Sequence, residues 1–206
     1  MKERPILFSG PMVRAILEGR KTQTRRVLNP QPTAWESNDA FLTWAKNPNG
    51  DSPMTLSHFA GLSPYGQAGD QLWVRETFWP RPFRTPRDMR EGADTWPAVF
   101  YDADKPDADC LQGWGWKRKP SIFLPRALSR IGLEITNVRV ERLRDISEQD
   151  ARSEGMLTTG VGARASFMVG WDSINGKRKG CTWSDNPWVW VIEFKRVEAA
   201  QQKAAA

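Results

Sequence analysis

The feature that most constrains this chain is the form of its hydrophobic signal, which comes in short β-type runs separated by stretches rich in proline, glycine and polar residues. The clearest run is Trp188-Val189-Trp190-Val191-Ile192-Glu193-Phe194, aromatic or β-branched at every position but one. A second, Gln71 to Phe78, is opened by the turn signal Gly69-Asp70 and closed by Pro80 and Pro82. Ala98 to Tyr101 predicts a short strand. Ser129 to Leu143, carrying Leu133, Ile135, Val138 and Val140, predicts a bent or bulged one. Helical signals are few. Residues 11 to 19 begin with Pro11, place Met12, Ala15 and Ile16 on one face and stop at Gly19. Ser147 and Asp150 resemble a capping box for a helix that ends at Gly155. Phe167, Gly170, Trp171 and Ile174 share a face of a third helix. Short strands with a few short helices predict an α+β fold curled into a small barrel. The strands lie too close together for a parallel βαβ sheet.

At 206 residues the chain suits a single domain with a real core, spanning 1–206 with insertions at about 29–65, 80–120 and 175–187. The mean hydropathy of -0.59 and the lack of an apolar run near twenty residues exclude a membrane helix. No signal-peptide core fits Met1 to Phe8, so a cytoplasmic location is expected. Cys110, Cys181 and His58 supply too few ligands for a structural zinc site or a histidine-based triad. Free thiols and no metal are therefore expected.

The formal charge is +6, which favours an anionic partner. Its distribution says more. Residues 1 to 28 hold seven bases (Lys2, Arg4, Arg14, Arg20, Lys21, Arg25, Arg26) against two acids, Glu3 and Glu18. Such a segment is either a solvated face or a patch that meets phosphate.

Read in order, the signals are a first helix, Gly19-Arg20-Lys21-Thr22-Gln23-Thr24-Arg25, then Gly69-Asp70-Gln71-Leu72-Trp73-Val74-Arg75-Glu76, and a last strand ending in Ile192-Glu193-Phe194. This order resembles the ASCH family of the PUA-like superfamily, whose signature is a G-x-K-x-x-[TE]-x-R loop after the first helix. The resemblance covers about half the chain, by the size of a minimal domain. With Trp171-Asp172-Ser173-Ile174-Asn175 and Asn186-Pro187-Trp188, the chain looks like uncharacterised ASCH proteins of phages and prophages. The resemblance implies a PUA-like β-barrel with a basic cleft that binds nucleic acid or a nucleotide. One branch of the family hydrolyses the amide of N4-acetylcytidine without a cofactor, using a Lys and a Thr of the signature loop and a Glu from a later helix. Lys21 and Thr24 match the first two, and the best register for the third is Glu154. Ribonuclease activity, or a phage accessory role without catalysis, are the other functions it implies.

The chemistry also stands on the residues themselves. A threonine hydroxyl needs a base, and lysine serves only when neutral. Neighbouring Arg20, Arg25 and Arg26 would depress its pKa, whereas an ion pair with Glu154 would raise it. The same residues also describe a phosphate clamp, with Thr24 donating a hydrogen bond and Lys21 and Arg25 supplying charge, in a cleft that Arg26 also lines. Glu76 is either an acid at the inner rim of the barrel or the buried partner of a signature-loop arginine. Trp114 and Trp116, followed by Lys117-Arg118-Lys119, are either exposed for stacking on bases or folded down on the barrel.

Overall fold

The computed structural model of the protein describes residues 1–35, 38–44, 53–82, 97–157 and 160–197. In chain order the elements are β1 (Glu3–Leu7), α1 (Gly10–Leu17), β2 (Gln23–Val27), β3 (Pro32–Trp35), β4 (Asn38–Trp44), β5 (Met54–Thr55), α2 (Leu56–Gly61), β6 (Gln71–Arg75), β7 (Phe78–Pro80), β8 (Val99–Tyr101), α3 (Ala108–Gly113), β9 (Gly132–Arg142), α4 (Glu148–Ser153), α5 (Ala163–Asn175) and β10 (Trp188–Val197). The fold is mixed α+β.

Its centre is a five-stranded sheet in the order β1-β6-β9-β10-β2. The β6–β9, β9–β10 and β10–β2 ladders are antiparallel, while β1 and β6 run parallel, from Glu3 opposite Gln71 to Leu7 opposite Arg75. With one parallel pair at its edge and three antiparallel ladders, the sheet is not a parallel βαβ sheet. β1 is a short edge strand that buries only Ile6 and contains Pro5, a residue that edges tolerate. Its signal is too brief to read as a strand in the sequence, and more than sixty residues intervene before its partner. The ladder does not close among the described residues. Instead, the Arg26 side chain on β2 donates to the Leu7 carbonyl at the end of β1, so a side chain bridges the two outer strands.

β10 fixes the two faces of the sheet. Trp188, Trp190, Ile192 and Phe194 join the larger core with Ile6, Phe8, Val13, Ile16, Leu72 and Val74. Val189 and Val191 point the other way and pack with Leu143, Ile146, Ala151, Phe167 and Trp171. On β9 the core residues change parity, from Leu133 and Ile135 to Val138 and Val140, because the register with β10 shifts by one residue opposite Glu193 and Phe194. The bulge keeps one apolar face continuous along a strand of 11 residues.

Residues 29–65, expected as a long loop, instead hold the antiparallel sheet β3-β4-β5 and the helix α2. Leu42 and Phe59 from this region are fully buried in the main core. The strands are too short, and too rich in Pro and Asn, for their period to stand out. Within 80–120, β7 pairs with β8, and Leu111 and Trp116 pack on Trp79 as a satellite core. Residues 83–96 of that insertion lie outside the described residues. The 175–187 segment is a turn-rich connection whose Cys181 carbonyl accepts from Trp171 Nε1 at 2.8 Å. On α5 the buried stripe is Ala163, Phe167, Trp171 and Asn175, and Ile174 is exposed. An i, i+4 stripe replaces the expected face because Trp171 and Phe167 together cover the sheet. No helix among the described residues is long and apolar enough to cross a membrane.

Candidate functional site

The basic loop is built by two helix ends that meet. After α1 the chain reverses at Gly19, whose φ of +75° favours glycine, and the amides of Arg20 and Lys21 both donate to the Ala15 carbonyl. α4 starts with the capping box of Ser147 and Asp150 and stops at Gly155, with φ +90°. A Cβ at Gly155 would lie 2.9 Å from Ala15 Cβ and 3.1 Å from Lys21 Cβ, so only glycine permits this approach. The two segments then zip briefly: Lys21 and Glu154 form an antiparallel bridge, and the Thr22 amide donates to the Ser153 carbonyl at 2.8 Å.

This register sends Lys21 and Glu154 inward. The Lys21 ammonium is fully buried and donates to Glu154 Oε2 at 2.7 Å, to the Glu154 carbonyl at 2.9 Å and to the Gln23 carbonyl at 2.9 Å. Three acceptors match its three N–H donors. Burial pulls the Lys21 pKa below its ordinary value, and the Glu154 charge pulls it back. The other oxygen of Glu154 accepts from Arg25 Nη1 at 3.3 Å. Arg25 is itself sealed: its Nε donates to Glu141 at 3.0 Å, its Nη2 also pairs with Glu141, and Phe167 lies 5.9 Å beneath the guanidinium carbon. Arg139 extends the network to Glu141, Asp150 and Glu193.

Alternation along β2 puts Thr24 and Arg26 on the face opposite Arg25. There the Phe8 ring sits between two cations, with Lys21 Nζ at 5.6 Å and the Arg26 guanidinium carbon at 5.2 Å from its centroid. Two donors are left over at this end of the sheet. Arg26 Nε is buried without a hydrogen-bond partner, and Thr24 is itself only 3% exposed. Gln23 Nε2, one residue from Thr24, is likewise buried and unpaired. Buried donors without acceptors are rare enough in proteins to demand a reason.

The structure thus joins Lys21 to Glu154 and buries Thr24 on β2, while the remaining candidates scatter. Arg20 lies at the rim, where Glu18 and the Gly155 carbonyl take its donors. Arg25 corrects the reading of a phosphate-facing cation, because carboxylates and protein surround it completely. Glu76 is buried, but its partner is Arg130, at 2.9 and 3.0 Å, rather than an arginine of the signature loop. Trp116 is buried in the satellite core and does not offer a stacking face, whereas Trp114 is 57% exposed. Sequence reading missed Phe8, Glu141, Arg139 and Arg130. Arg139 and Glu141 flank the core residue Val140 and so fall on the opposite face of β9, a pattern that strand alternation makes visible. Phe8 and Arg130 left no such mark. No group of three or more His, Cys, Asp or Glu able to hold a metal ion occurs among the described residues. Comparison with family models, curated proteins and solved structures returns no match to this chain.

Proposed function

We propose that this chain is an ASCH-type, PUA-like module that binds nucleic acid or a nucleotide at the Phe8–Thr24–Arg26 end of its sheet. One observation carries the reading: Arg26 Nε is buried without a hydrogen-bond partner, while the cations of Arg26 and Lys21 both lie over the Phe8 ring. Donors left without acceptors in a positively charged setting suit an acceptor-rich anion. The curled sheet, pinned at its open seam by Arg26 on Leu7, is compatible with the barrel that the family resemblance implies.

A second reading, amide hydrolysis of an N4-acetylcytidine-like nucleoside, is favoured by a different observation. Lys21 lies 2.7 Å from the Glu154 carboxylate, and burial lowers its pKa. Proton transfer from ammonium to carboxylate would leave a neutral amine to deprotonate Thr24. The three acceptors around Nζ hold the charged form, which is why binding is the primary reading.

The experiment runs both assays on the same variants. Lys21→Ala is a poor probe, since it strips a buried partner from Glu154 and leaves three buried acceptors without their donor. Thr24→Val and Arg26→Gln are better. Binding to short single-stranded RNA or DNA that drops at least tenfold in Arg26→Gln, with no turnover of N4-acetylcytidine, supports the module. Turnover by wild type and Thr24→Ser but not Thr24→Val establishes the hydrolase instead.

A further inference from the structure

On the solvent side of the Lys21–Glu154 bridge lies an open cleft of about 400 Å³ between the 19–22 loop and α4. Its position follows from the register just described. Where Lys21 and Glu154 turn inward, their neighbours Thr22 and Ser153 face out and line the cleft, joined by the Thr22 to Ser153 backbone hydrogen bond. The lining has three parts. Thr22, Ser153 and Gln149 offer neutral hydrogen-bond donors, Arg20 and Arg152 offer guanidinium groups, and Met156 with Leu157 forms an apolar wall. No carboxylate is among the described lining residues. The charges of the two arginines are not equivalent. Arg20 is matched by Glu18, whereas Arg152 is exposed and has no acidic partner among the described residues.

A concavity with one unmatched guanidinium, several hydroxyl and amide donors, and an apolar flank fits a phosphate ester, with the sugar against Met156 and Leu157. The volume is at the small end for ligand sites, enough for one nucleotide unit rather than a folded partner. We propose that this cleft is a phosphate subsite, which makes the ligand of this module a nucleotide or a single strand rather than a free nucleoside. The proposal rests on the binding reading above and deepens it.

The test measures anisotropy of a fluorescein-labelled single-stranded RNA ten-mer over a salt series, for wild type, Arg152→Glu, Arg152→Lys and Arg26→Gln. Arg152 is exposed, so its charge reversal does not threaten the fold. The expected result is a weakening of at least tenfold in Arg152→Glu at low salt, with the slope of log K against log salt shallower by about one, and recovery in Arg152→Lys. Competition separates the sources: a nucleoside 5′-monophosphate displaces the probe better than the nucleoside if a terminal phosphate suffices, and only an oligonucleotide does so if a diester is needed. Unchanged affinity and slope in Arg152→Glu, while Arg26→Gln loses binding, overturns the subsite and leaves the binding reading standing. Loss in Arg152→Glu alone keeps the subsite and overturns the Arg26 site. No binding by wild type overturns both.

Discussion

Glu154 and Glu76 are both buried carboxylates that meet cations, yet their surroundings are opposite in kind. Around Glu154 the cations are the buried partners: Lys21 and Arg25 side chains are wholly inaccessible, and the backbone supplies further acceptors. Around Glu76 the cation is open, since Arg130 is about a quarter exposed, stacks 4.0 Å from the Tyr101 ring and shares its donors with the half-exposed Asp104. Burial pushes the Glu76 pKa up, Arg130 counters it, and Asp104 and Asp102 add to the rise. The first site is a sealed, cation-rich knot that ties two helix ends to β2. The second is a carboxylate-rich cluster with a route to water. A buried acid therefore says little by itself about function. What matters is whether the group that answers it can still move.

The largest effect should come from opening the sealed knot. Glu154→Ala leaves Lys21 and Arg25 charged in the interior and is expected to cost about 3–5 kcal/mol, read as a lowered urea midpoint at unchanged m-value. Replacing both members of the pair, Lys21→Met with Glu154→Leu, should recover much of that loss. A cost under about 1 kcal/mol for Glu154→Ala would mean that water reaches the knot, and the comparison would collapse. The same contrast of sealed against open separates the two tryptophans of the 113–116 segment. Trp116→Ala removes a buried ring from the Trp79–Leu111 cluster and should cost about 3 kcal/mol, whereas Trp114→Ala should cost under about 1 kcal/mol.

At the open cluster the effects shrink. Glu76→Gln preserves the shape and leaves Arg130 held by both oxygens of Asp104, and burial already disfavours the Glu76 charge, so a change of about 1 kcal/mol or less is expected at neutral pH. Asp104→Asn, at a half-exposed position, should cost about 0.5 kcal/mol or less. If Asp104→Asn proved as costly as Glu76→Gln, the cluster would behave as sealed.

How far the sequence discloses all this depends on whether a residue's role is local. β10 is legible as a continuous aromatic and β-branched run, and the bulged β9 as spaced apolar residues that change parity once. The α4 cap is legible because Ser147 and Asp150 are three residues apart and satisfy each other. The pairing of Lys21 with Glu154 leaves no local pattern of its own and is reachable only as what the family resemblance implies. Other features are set across long separations. Arg130 meets Glu76 from 54 residues away, and Arg26 reaches the Leu7 carbonyl across a seam that no periodicity predicts. β1 announces itself only through Ile6. Arg25 shows the limit most clearly. In sequence it is one more cation of a basic loop, and only the fold turns it toward Glu141, Asp150 and Glu154 while its neighbour Arg26 goes the other way.

The smallest effects, and the most discriminating, lie in pH. Glu76 has a folded-state pKa raised above its ordinary 4.5, so the folded protein holds that proton more tightly than the unfolded chain. The stability it contributes is fully present below 4.5 and is lost as pH rises through the raised value. Wild type should therefore lose stability relative to Glu76→Gln as pH climbs from 4 toward neutrality. Lys21 runs in the opposite sense and in another window. Its folded pKa lies below 10.5, so the unfolded chain binds the extra proton and stability rises with pH between the lowered value and 10.5. The double variant Lys21→Met with Glu154→Leu should lack that alkaline rise while keeping the acid-side slope from Glu76. Urea midpoints across pH 4 to 10 for wild type and these two variants resolve both slopes. If either variant removed both, the two carboxylates would belong to one coupled network, and the distinction between sealed knot and open cluster would fail.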